Sequence, residues 1–146
     1  MNGLDSTGAA SALSAQEVAE LSRLRSIDRR VRAHEQAHLA AAGQYARGGP
    51  SFQYVTGPDQ QLYAVAGEVP IDASPVEGDP QATIRKMLSV IAAAHAPADP
   101  SPQDNQVAAQ AGRELARAQA ELVKQAYAVQ SGTASGRSGG LLNILA

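Results

Sequence analysis

The chain has 146 residues, 44% of them hydrophobic, a formal net charge of −2 and no cysteine. That length suits one modest core, and the charge leaves no basic excess with which to displace counterions from nucleic-acid phosphates. Without cysteine there are no disulfides, thiolate metal sites or cysteine nucleophiles.

Residues 1–12 (MNGLDSTGAASA) are small and polar and read as a flexible leader. They lack the basic n-region and apolar run of a secretory signal, and no stretch reaches the roughly 20 apolar residues of a spanning helix. A cytoplasmic protein without a membrane span is the expectation, with export by a route lacking a cleaved signal left open.

Ser14 and Glu17 have capping-box spacing, and no Pro or Gly interrupts the chain from there to about Ala42. Val18, Leu21, Leu24, Ile27 and Val31 recur at helical spacing, and the same stripe continues onto His34 and His38. The arginines at 23, 25, 29, 30 and 32 are interleaved with Glu20, Asp28 and Glu35, as on a solvated face.

Gly43 and Gly48-Gly49-Pro50 end this helix. Residues 52–56 and 62–71 are rich in β-branched and aromatic side chains and flank Gly57-Pro58-Asp59-Gln60, which predicts a hairpin. Prolines and a glycine make 72–80 irregular. Asp79-Pro80 then starts a second helix with Ile84, Leu88, Ile91 and His95 on one face, stopped by Pro97. Ser101, Pro102 and Asp104 repeat the start signal for a third helix to about Val129. Residues 131–146 read as a Gly/Ser-rich linker and a short apolar tail, which leaves 13–130 as the one folded domain. The fold class is α+β and mostly helical: a long helix, a β-hairpin and two further helices.

His34-Glu35-Gln36-Ala37-His38 is an HExxH pattern on the first of these helices. Residues i and i+4 lie about 40° apart around a helix, so both imidazoles can reach one point. Imidazole nitrogen is a preferred zinc ligand. Glu35 projects beside that point, where a general base would take a proton from zinc-activated water.

The strings VRAHEQAHLAAAGQYA, GPDQQLYAVAGEVPIDASPVEGDPQATIRKM and APADPSPQD, in that order, resemble the SprA-related family of bacterial proteins assigned as metallopeptidases. The resemblance spans roughly residues 14–125 and implies a zincin-type catalytic domain acting on a peptide or protein substrate. Two positions depart from the family pattern: Gln60 stands where its turn usually has Gly, and Ala66 where a Gly-Gly-Glu-Val string is usual.

A catalytic zinc takes three protein ligands. Glu68 is the favoured third one, because a carboxylate in an apolar strand is costly to bury without a cation and it falls in the part matching the family's Gly-Glu-Val string. Asp72 and His95 are alternatives, so a gluzincin-like His34/His38/Glu68 set is weighed against three histidines. Tyr63 and Tyr54 are the candidate oxyanion stabilisers, and a bulge at Gly67 leaves open which hairpin face Glu68 shares with them. Two other readings compete with a peptidase: a zinc-binding module without catalysis, and a helical interaction domain in which HEQAH is accidental.

Overall fold

A computed structural model describes residues 12–137. In chain order the elements are helix α1 (Ala15–Ala42), a 3-10 turn (Gly43–Tyr45), strands β1 (Ser51–Thr56) and β2 (Leu62–Glu68), and helices α2 (Pro80–Ala94) and α3 (Pro102–Arg137). The architecture is α+β, as the sequence predicts. Residues 1–11 of the leader and the LLNILA tail lie outside the described residues, and α3 runs to Arg137 through part of the stretch expected to be linker. Among the described residues no helix is long and apolar enough to cross a membrane.

The chain divides into two compact units, Met1–Gln36 with Pro50–Glu68, and Ala37–Gly49 with Val69–Ala146. In the first, α1 begins on the capping box read from the sequence: Ser14 N–H donates to Glu17 Oε2 at 2.7 Å, and Glu17 N–H to Ser14 Oγ at 3.2 Å. The buried stripe starts at Leu21, because Val18 in the first turns is 54% exposed. Leu21 and Leu24 pack with Tyr63 and the partly buried Val65 of β2. Asp28 ties the strand to the helix by accepting the Ala64 N–H at 2.8 Å.

β1 and β2 pair antiparallel, from Ser51 opposite Glu68 to Thr56 opposite Leu62. The second strand stops at Glu68, short of the expected Ile71, because Pro70 supplies no ladder donor. Tyr54 faces Ala64 while Gln53 faces Ala66, so the extra residue is Val65. The bulge therefore sits two residues before Gly67. In the turn, Gln60 N–H reaches the Gly57 carbonyl and Gln60 has φ +63°. That left-handed conformation explains why glycine would suit position 60.

In the second unit α1 ends at Ala42, and Gly43 at φ +51° turns the chain out. The 3-10 turn is held by an Ala46–Ile71 bridge and by Asp72 N–H donating to the Tyr45 carbonyl. Asp79 caps α2 by accepting the Ala82 N–H, and Ser101 and Asp104 form a reciprocal box at the start of α3. Helices α2 and α3 pack around Met87, Val90, Ala111 and Ala73, with Ile71, Ile91, Val107 and Leu115 against them. Fully burying Met87 and Val90 contributes about 1.5–3 kcal/mol each.

The buried face of α2 is Thr83, Lys86, Met87, Val90, Ala93 and Ala94. This corrects the stripe expected from Leu88 to His95. Leu88 is 55% exposed, and His95 is an exposed C-cap beyond the last turn. Alanines carry much of the inner face, and Lys86 can join it because Asp72 meets its ammonium at 2.8 Å. Of the expected stripe, Ile91 does pack against the core, but the inner face is turned towards Met87 and Val90, away from Leu88.

Candidate metal centre

α1 passes unbroken through His34 and His38, so one turn of continuous helix sets their relative placement. His38 is almost completely buried, at 2% exposure. Its Nδ1 lies 2.9 Å from the Ala93 carbonyl oxygen, near the end of α2. A carbonyl oxygen can only accept, so Nδ1 carries the proton and donates it. In the neutral ring that leaves Nε2 as a lone pair.

Nε2 faces Asp104 Oδ2 at 3.1 Å. A carboxylate oxygen is also an acceptor, so two lone pairs point at one space and a cation or a proton must reconcile them. Asp104 is itself fixed, because the same Oδ2 accepts the Ser101 N–H at 2.7 Å in the α3 cap. His34 then supplies a third donor atom: ligand atoms of His34, His38 and Asp104 all lie within 4.8 Å of one another. Ligand bonds of 2.0–2.2 Å place tetrahedral donors about 3.3–3.6 Å apart, close to the His38–Asp104 separation. Two imidazoles and a carboxylate are a donor set that can hold a divalent transition metal.

The structure brings together two of the three expected ligands, with Asp104 in the place expected of Glu68. Glu68 is exposed at the end of β2, Asp72 is engaged elsewhere, and His95 is an exposed helix cap; none of them joins this group. Asp104 has the spacing of a helix-start residue and is absorbed by that reading. The signal for it lies in APADPSPQD, a string that carries the family resemblance and ends on this residue. The Ala93 carbonyl that orients His38 is a backbone group and leaves no mark in composition.

Glu35 is 3% exposed, an uncommon fate for a glutamate on a helix. It lies against β2 at Gly67, which has no side chain to exclude it. Tyr63 is a core residue beside Leu21 and Leu24, and its hydroxyl donates to Asp59 Oδ2 at 2.5 Å within the hairpin turn. That hydrogen bond raises the phenol's pKa. Its hydroxyl thus closes the turn, a structural task unlike the oxyanion contact expected of it. Tyr54 is 46% exposed and tilted against Phe52.

Asp72 anchors a separate polar cluster. Its Oδ1 accepts from Ser74 N–H, Ser74 Oγ and Arg47, and its Oδ2 accepts from Lys86. Burial alone would raise its pKa, but the hydrogen bonds from Lys86, Ser74 and Arg47 outweigh it and hold the carboxyl well below the usual range. The residue ties Ser74, at the start of the 72–80 segment, to Arg47 and Lys86.

No curated protein and no solved structure matches the chain. The SprA-related family matches over residues 5–135, most of its length, and the chain therefore belongs to the SprA-related family.

Proposed function

We propose that the protein is a zinc-dependent metallopeptidase in which His34, His38 and Asp104 hold the metal and Glu35 is the general base. The observation that carries this reading is the group of three donor atoms, two imidazole nitrogens and one carboxylate oxygen. Three protein ligands, rather than four, are characteristic of catalytic zinc, which keeps one position open. Zinc, when bound, supplies Lewis acidity that brings water within reach of deprotonation near neutral pH.

The chain's own residues supply the rest. The Ala93 carbonyl fixes the His38 tautomer and presents Nε2. The Ser101 N–H holds Asp104 in place. Glu35 follows His34 directly, and its burial excludes bulk water from around the carboxylate. There it takes the proton from the water that adds to a peptide carbonyl, then returns it to the departing amine.

A second reading is a metal-binding module without catalysis. It draws on Asp104 serving also as a helix-capping residue, so that a metal would fasten the end of α1 to the start of α3. Glu35→Gln separates the two readings. It keeps shape and hydrogen bonding but cannot accept the proton at neutral pH. The zinc-loaded variant, read by mass spectrometry against a mixed peptide library, is expected to keep its metal and lose cleavage by about 10²-fold or more. Unchanged cleavage, or loss of the metal, contradicts the assignment of the base. Absence of cleavage in the wild type as well selects the binding module.

A further inference from the structure

Gly67 is the one glycine of β2, and its backbone does not need to be glycine: its φ lies outside the left-handed region. What requires it is space. A Cβ at position 67 would stand 2.7 Å from Glu35 Cγ, 3.0 Å from Glu35 Oε1 and 2.9 Å from Phe52 Cδ1. The first contact is with the stem of a buried side chain, where retreat is not free. The Phe52 contact is with the cross-strand partner, since Phe52 pairs with Gly67. Arg32, one turn before Glu35 on α1, lies over the Phe52 ring at 5.2 Å. Arg32, Phe52, Gly67 and Glu35 thus lie together where the hairpin meets the helix.

We infer that Gly67 is the positioning residue for Glu35: its missing side chain lets β2 close over the carboxylate stem and fix where the carboxylate points. The role in hydrolysis rests on the proposed function; the positional coupling does not. Nothing in the zinc ligand set involves Gly67, so metal content should survive its replacement.

The test is a double-mutant cycle between Gly67→Ala and Glu35→Ala, read first by thermal unfolding of the full chain. Gly67→Ala is expected to lower Tm by several degrees, about 2–4 °C for each kcal/mol lost. In the Glu35→Ala background, where the Cγ is gone, most of that loss should vanish. A Gly67→Ala protein that fails to fold while the double variant folds supports the coupling equally. Equal losses in both backgrounds, or failure of both to fold, overturn it, because the conflict then lies with Phe52 or the strand.

A second cycle on kcat uses Glu35→Gln. Gly67→Ala should cut kcat at unchanged zinc stoichiometry and add nothing once Glu35 is Gln; multiplying effects would overturn the positioning role in hydrolysis. If the wild type cleaves nothing, the peptidase reading fails, while the Tm cycle still decides the coupling.

Discussion

Two clusters of polar side chains, one around Asp72 and one around His38, differ in how their charges close. Around Asp72, the carboxylate oxygens meet an ammonium at 2.8 Å, a guanidinium at 2.7 Å and the Ser74 donors. Acceptors face donors there, and the cluster is a finished cross-brace. Around His38, the buried imidazole Nε2 meets an Asp104 carboxylate oxygen at 3.1 Å. A ligand atom of His34 converges on the same pair, all three lying within 4.8 Å of one another. Burial of polar groups is common to both. What distinguishes them is the partner set: cations and hydroxyl donors on the Asp72 carboxylate, two imidazoles beside the Asp104 carboxylate.

The largest effect that could break this contrast concerns Asp104. Zinc at about a hundred times its Kd should stabilise the wild type by roughly 2.7 kcal/mol, a rise in Tm of about 5–10 °C. Asp104→Asn keeps an oxygen for the Ser101 N–H but loses the ligand charge. Its apo form should melt near the wild type, and its zinc-induced rise should largely disappear. An undiminished rise would remove Asp104 from the ligand set and reopen the case for Glu68.

The brace should answer in the opposite way. Lys86→Met removes the ammonium and leaves the half-buried Asp72 with Arg47 and Ser74 alone. A loss of about 1–3 kcal/mol in denaturant unfolding is expected, with zinc uptake unchanged. Impaired uptake would mean that the two clusters are coupled.

The pH dependence sharpens the point. The folded Asp72 carboxyl is held below its unfolded value. Its contribution is therefore fully present above the unfolded pKa of about 4 and is lost progressively as pH falls through and below it. Asp72→Asn should be less stable than the wild type at neutral pH and should approach it in acid. A gap that stays constant down to pH 2 would contradict the assignment.

The smallest effect lies in the hairpin. Gln60 occupies a left-handed conformation, which costs a side-chain-bearing residue roughly 1–2 kcal/mol. Glycine relieves this but gives part of it back through the unfolded chain. Gln60→Gly should raise stability by about 0.5–1 kcal/mol in the same denaturant measurement, and a loss would show that the Gln60 side chain contributes to the turn.

Much of this molecule is legible in its sequence where the signal is local. Both capping boxes, the Asp79 cap, the hairpin turn and the two histidines follow from spacing over a few residues. What is not legible depends on distant partners. Lys86 lies on the buried face of α2 because Asp72, 14 residues earlier, meets its ammonium. Asp104 reads as a cap until His38, far back on α1, meets the same oxygen. Glu68 shows the reverse error: an apolar neighbourhood in sequence does not bury a residue at the end of a two-stranded sheet.

The central claim is that this group of side chains binds a metal ion. Equilibrium dialysis of the full chain against zinc, followed by elemental analysis, tests it most directly. One zinc per chain is predicted for the wild type and essentially none for the His34→Ala, His38→Ala double variant. Equal zinc in both proteins, or none in the wild type, would contradict the account.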